Sequence, residues 1–279
     1  MSYYASLGLA KEPFSTSPDP AFFFRSSSHL QALNRLEISI RLKRGLCLIL
    51  GDVGTGKTTM ARTLLTQFGG DKAVQFHLVL DPAYDSEYQF LHNLCRMFGV
   101  RPAFKSTLDC REAIEHYLFQ RGVTNKQTTV LLIDESQKLS LEILESLRAL
   151  LNYETNEHKL LQVVMFSQME LLPRVTRVRN FLDRVALKYI INPLDEDETS
   201  QLIRFRLEAA GLPDGSTLFT PEAVRAIQQF TQGYPRKVAM LCHNALEELV
   251  MRERSFVDAA LIEELVGHES PWTADVSGL

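Results

Sequence analysis

Short, wholly apolar runs along this chain alternate with stretches in which apolar residues recur at helical spacing. Leu46-Cys47-Leu48-Ile49-Leu50 is the clearest run, and Ala73–Leu80, Thr129–Ile133, Leu160–Phe166 and Val185–Ile191 read as four more strands. Leu30, Leu33, Leu36 and Ile40 mark a helix from His29 to about Arg44, and another begins near Lys57, with no proline through Phe68. Asp85 or Ser86 can cap a helix that ends at Gly99, and Thr107–Arg121 and Ser140–Asn152 show two more helical patterns. Such alternation of strands and helices predicts a parallel sheet covered by helices on both faces.

The pattern changes after Pro193. Asp195 and Glu198 form a capping-box signature for a helix that stops at Gly211, and Thr220-Pro221 supplies a cap and a first-turn proline for a second, ending near Gly233. A third runs from about Arg236 to Arg252, and a short fourth covers Asp258–Val266. The expected organisation is an irregular, aromatic- and proline-rich arm over 1–28, an α/β domain over 29–191, a small helical domain over 192–268 and a flexible tail over 269–279. Within the arm, Phe22-Phe23-Phe24 reads as an aromatic plug closing the core, with stacking on an adenine or a base as the alternative.

The chemistry sits at two strand ends. Gly51-Asp52-Val53-Gly54-Thr55-Gly56-Lys57-Thr58-Thr59 follows the first strand and opens a helix. The spacing G-x-x-x-x-G-K-T is that of a phosphate-binding P-loop. Its glycines let backbone N–H groups converge on phosphate oxygens, and the helix N-terminus adds its dipole to the same anion site. Lys57 can reach the β/γ-phosphates and the Thr58 hydroxyl can ligate Mg²⁺. The strand at Val130–Ile133 ends in Asp134-Glu135. That position puts Asp134 at the carboxyl edge of the sheet as an Mg²⁺ ligand, and Glu135 beside it as the group that polarises a water for in-line attack.

Composition adds exclusions. The 279 residues carry a formal net charge of −4, with 45% hydrophobic and 23% charged residues, so no global basic field announces nucleic acid. Cys47, Cys95, Cys110 and Cys242 sit far apart with no C-x-x-C pair, which argues against a disulfide framework, and the seven histidines show no H-x-x-x-H spacing for a zinc site. No apolar run approaches a membrane span and Met1-Ser2-Tyr3-Tyr4 opens no signal-peptide pattern, so a cytoplasmic protein without a transmembrane segment is expected.

On these segments the chain resembles the AAA+ ATPases, and within them the general-secretion-pathway-A (ExeA-like) group and the related transposition regulators. The arm Lys11-Glu12-Pro13-Phe14 to Ser17-Pro18-Asp19-Pro20, the P-loop and Ile133-Asp134-Glu135 carry the resemblance. Leu161–Leu171 and Gly233-Tyr234-Pro235-Arg236 add to it. It implies a P-loop sheet sandwiched by helices, followed by a helical lid, and ATP rather than GTP as the nucleotide. It also implies a homo-oligomer, ring or filament, with active sites shared between subunits. Gln168 matches the group's sensor I position, where Ser167 and Met169 replace the usual glycine and proline, so Ser167 competes for the role. Arg184 resembles the arginine finger, with Arg177 and Arg179 as alternatives, and Arg236 resembles sensor II. Arginine suits both tasks because its fork contacts phosphate oxygens and keeps its charge. Arg174, Arg177, Arg179, Arg184 and Lys188 make a basic cluster that could meet DNA or a neighbouring subunit's nucleotide, and the overall acidity favours the neighbour. The resemblance implies an ATPase serving a secretion, pilus or envelope-export system through an unknown protein partner. The alternative is a DNA-binding regulator of transposition. Secretion members of the group continue past the lid into a membrane helix and a peptidoglycan-binding domain, and this sequence ends after the lid.

Overall fold

The computed structural model describes residues 2–100, 106–212 and 218–274, with 268–274 by backbone alone. In chain order the elements begin with α1 (Tyr3–Ser6), α2 (Ser27–Arg41), β1 (Leu46–Leu50), α3 (Lys57–Gln67) and β2 (Val74–Val79). There follow α4 (Glu87–Met97), α5 (Thr107–Phe119), β3 (Thr128–Ile133), α6 (Leu141–Leu150) and β4 (Leu161–Ser167). The last are α7 (Leu172–Val175), β5 (Val185–Ile190), α8 (Glu196–Ala209), α9 (Pro221–Thr231), α10 (Pro235–Met251) and α11 (Ala259–Ala274). They form two compact units, one of 27–53 with 57–191, the other of the described residues within 1–26, 54–56 and 192–279.

The first unit holds a five-stranded sheet in the order β2-β3-β4-β1-β5, with every pairing parallel. Burial follows position in that order. β1, β3 and β4 are buried along their whole length, whereas the edge strand β5 alternates between half-buried and exposed residues. This is why the three inner strands read as predominantly apolar runs in the sequence. Leu46, Leu48 and Leu50 face a core that includes Phe90, Leu94, Ile114, Leu144 and Phe181.

In the second unit the caps form as their residue types dictate. The Asp195 carboxylate accepts from the Glu198 N–H at 2.8 Å, and the Thr220 hydroxyl from the Ala223 N–H at 3.2 Å. Leu9, Phe14 and Phe22 from the arm share one core with Leu202, Ile227, Leu246 and Ile262. The Ala10 N–H donates to the Ala210 carbonyl at 2.8 Å, and Arg206 donates to the Ser15 carbonyl at 3.0 Å. Phe22 and Phe23 are buried, and Phe24 lies 6.1 Å from Phe205. The aromatic triplet is thus packing, not an open stacking platform.

Some element boundaries differ from expectation. The arm is not wholly irregular: it carries α1 and a 3-10 turn at Pro20–Phe22 capped by Asp19. The helix from Thr107 leaves α-geometry after Phe119 and closes with a π-turn over Gln120–Thr124. A Cβ at Gly122 there would come 2.6 Å from Leu160 Cδ2, so a larger residue would require that side chain to shift. The fourth helix after Pro193, α11, runs to Ala274, because Gly267 does not adopt the left-handed backbone that ends a helix. Part of the expected tail is therefore helical, and 275–279 lie outside the described residues.

Candidate nucleotide and metal site

Sheet order assembles the site. β4 lies between β1 and β3, so the end of β4 falls between the P-loop and the acidic pair. Leu50 pairs with Ser167 and Ile133 with Met165, and the Gly51 N–H donates to the Ser167 carbonyl at 3.1 Å. Ligand sites of open parallel sheets form in such crevices at the strands' carboxyl ends.

Gly54 and Gly56 sit at φ +84° and +92°, which lets the loop turn back before Lys57 opens α3. The Lys57 side chain is buried, and its ammonium donates to the carbonyls of Gly51 and Asp52, both at 2.8 Å. An ammonium has three donors, so one remains for a phosphate oxygen. Burial pushes the Lys57 pKa below its ordinary value, opposed by the charges of Glu135, Asp134 and Asp52.

The Thr58 hydroxyl donates to Asp134 Oδ2 at 2.5 Å, bringing the two sequence-predicted metal ligands together. A hydroxyl and a carboxylate are hard oxygen donors of the kind Mg²⁺ takes, so the pair fits that ion. Asp134 is 2% exposed, and burial raises its pKa despite the Thr58 hydroxyl and the Glu135 N–H, which donates to Oδ1 at 2.9 Å. Glu135 itself sits in the left-handed region, at φ 50° and ψ 36°. For a glutamate that conformation is strained, and such strain clusters at functional positions.

Two residues that sequence reasoning missed join this site. Gln137, buried in the 3-10 turn Ser136–Lys138, donates from Nε2 to Glu135 Oε2 at 2.6 Å. Its Oε1 accepts from the Gln168 N–H at 3.2 Å and lies 3.3 Å from the Ser167 hydroxyl. Arg174, placed in the sequence within a basic cluster, donates to the Gln137 backbone carbonyl. Only the left-handed backbone at Glu135 turns Gln137 back onto β4, and no local sequence signal announces it.

The remaining predicted residues are placed as follows. Ser167 is fully buried at the end of β4, and Gln168 next to it is half-buried. Arg184 closes a 3-10 turn directly before β5, while Arg177 and Arg179 are exposed. Arg236 lies in the first turn of α10. Within its own unit, which includes Gly54–Gly56, its N–H donates to the Gly54 carbonyl at 3.2 Å.

Residues 40–175 match the AAA domain family. The chain is 34% identical over 247 residues to general secretion pathway protein A of Aeromonas hydrophila, a match covering 88% of this chain and 44% of that protein. The chain carries an AAA domain. The chain is similar to general secretion pathway protein A and spans under half that relative's length. Among solved structures, the Aeropyrum pernix ORC2 protein superimposes with a TM-score of 0.66 at 16% identity, covering 92% of this chain and 71% of that one. Cdc6p of Pyrobaculum aerophilum gives 0.68 at 16% identity, covering 88% and 67%. These likenesses establish the AAA+ fold. Among the described residues no helix is long and apolar enough to cross a membrane.

Proposed function

We propose that this protein is an oligomeric, Mg²⁺-dependent ATPase that drives assembly or operation of a secretion, pilus or envelope-export system. The observation that carries the catalytic reading is the Thr58–Asp134 hydrogen bond, with Glu135 next in sequence and Lys57 at the head of α3. Backbone N–H groups of Gly51–Thr59 cradle the phosphates, and Lys57 turns its remaining donor to the β/γ oxygens. Thr58 and Asp134 would hold Mg²⁺, which when bound neutralises charge on those oxygens. Glu135 orients the attacking water and takes its proton. Gln168 or Ser167 at the end of β4 serves as sensor I, and Arg236 as sensor II. Arg184, just ahead of β5, is the finger offered to a neighbouring protomer's γ-phosphate. The likeness to a secretion pathway protein supports the export role over the DNA-binding alternative. One member of the basic cluster, Arg174, is also engaged inside the fold by the Gln137 carbonyl.

The test separates binding from turnover. Lys57→Ala should abolish ATP binding, measured with a fluorescent nucleotide. Glu135→Gln should bind ATP as the parent does and lose ~10²–10⁴-fold in phosphate release. Parental turnover by Glu135→Gln would sink the assignment of Glu135.

A further inference from the structure

We infer that Gln137 is a positioning residue for ATP hydrolysis, a side-chain bridge that fixes the carboxylate of Glu135 against the end of β4. The inference rests on reading Glu135 as the group that orients the attacking water.

Donor and acceptor chemistry fixes the bridge. The Gln168 N–H can only donate, and an ionised Glu135 carboxylate can only accept. The Gln137 amide therefore presents oxygen to β4 and nitrogen to Glu135, and a flipped amide would lose both bonds. At 8% exposure the side chain has little water to replace either partner. The turn that carries it is pinned as well. The Ser136 hydroxyl donates to the Ile133 carbonyl at 2.9 Å, the Lys138 N–H to the Glu135 carbonyl at 2.9 Å, and Arg174 to the Gln137 carbonyl. A glutamate side chain with three rotatable bonds is thus held at Oε2, while Oε1 is left for water.

The consequence is a specific kinetic signature. Hydrolysis is sensitive to sub-ångström placement of its groups, and a misplacement of about 1 Å can cost ~10²-fold. The P-loop and Thr58 hold the nucleotide without Gln137, so its loss should fall on kcat and not on binding. The bridge also ties Glu135 to Ser167 and Gln168, so a shift at the end of β4 moves the carboxylate with it.

The experiment uses the full chain and three variants, with phosphate release and nucleotide affinity as readouts. Gln137→Met keeps the volume and removes the amide's hydrogen bonds to Glu135, Ser167 and Gln168; it should lower kcat ~10–100-fold while ATP affinity stays within about twofold. Parental affinity also reports that the variant is folded. Gln137→Glu keeps an acceptor for the Gln168 N–H but turns a carboxylate toward Glu135. It should be at least as slow as Gln137→Met, whereas a bridge that mattered only to β4 would leave it near parental. In a Glu135→Gln background, Gln137→Met should cause no further loss in single-turnover hydrolysis, because its effect acts through Glu135. A Gln137→Met kcat within twofold of the parent, or losses that multiply in the double variant, would overturn the inference and leave the role of Glu135 standing. Parental turnover by Glu135→Gln alone would overturn both.

Discussion

Acid should destabilise this protein through one histidine. His77 lies in β2 at 8% exposure, its Nε2 is buried without a hydrogen-bond partner among the described residues, and its ring meets Phe98 edge-on at 4.7 Å. Burial pushes its pKa from 6.5 down to about 4, and the charge of Arg121 acts in the same direction. The unfolded chain therefore binds the proton first as pH falls. Stability from the neutral ring is complete above the unfolded pKa of 6.5 and is lost as pH drops toward about 4. At ~1.4 kcal/mol per pH unit, the loss reaches ~2 kcal/mol at pH 5 and ~3 kcal/mol at pH 4. Other carboxylates and histidines titrate in this range too, so the measurement must be a difference. His77→Leu keeps an apolar side chain against Phe98 and removes the proton site. Urea unfolding of parent and variant, from pH 7.5 to 4, should show the parent's stability falling relative to the variant's by that amount. Parallel curves across the window would refute the argument that the native state holds His77 neutral.

Two other substitutions probe the site directly. Burial raises the Asp134 pKa, so the native state binds its proton more tightly than the unfolded chain and stability falls as pH rises through the window above the ordinary carboxylate range. Asp134→Asn should accordingly raise Tm at pH 7 while losing Mg²⁺-stimulated hydrolysis; a lowered Tm measured calorimetrically would contradict the burial argument. Arg184→Ala should bind ATP like the parent and lose ~10³–10⁵-fold in hydrolysis, with part recovered when it is mixed with Glu135→Gln. No recovery at any ratio in a co-assembled sample would count against a finger acting between subunits.

The elements that were legible in the sequence are those whose signals are local. β1, β3 and β4 are covered on both faces, so most of their residues are apolar and the strands appear as runs. The P-loop is a spacing rule, and Asp134 needs only to follow a buried strand. What escaped depends on contacts distant in sequence. Nothing around Gln137 says that Glu135 adopts positive φ; besides local bonds to Asp134 and Ile133, the turn accepts a bond at the Gln137 carbonyl from Arg174, far along the chain. Similarly, the arm reads as irregular because its partners come from the far end of the chain: the Tyr3 hydroxyl bonds His243 Nδ1 at 2.9 Å. Arg174 looked like one cation among five, and its bond to a carbonyl of another turn separates it from Arg177 and Arg179.

The same bonds explain why the site is made of poorly placed charges. Lys57 and Asp134 are both buried, and burial works against the charged form of each, lowering one pKa and raising the other. Neither is well compensated by the protein alone: carbonyl dipoles face the ammonium, and a hydroxyl and one N–H face the carboxylate. Glu135 adds backbone strain of ~1–3 kcal/mol. Hydrophobic replacements at these positions would give a more stable fold and no chemistry. A polyphosphate would give Lys57 an anion in direct contact, and a divalent cation would do the same for Asp134. Binding of the two together would then stabilise the folded state by linkage, in proportion to how poorly it is satisfied without them. On the proposed function, stability given up at Lys57, Asp134 and Glu135 would become affinity for the ligand pair, and the Gln137 bridge would keep the strained glutamate in one orientation while that exchange occurs.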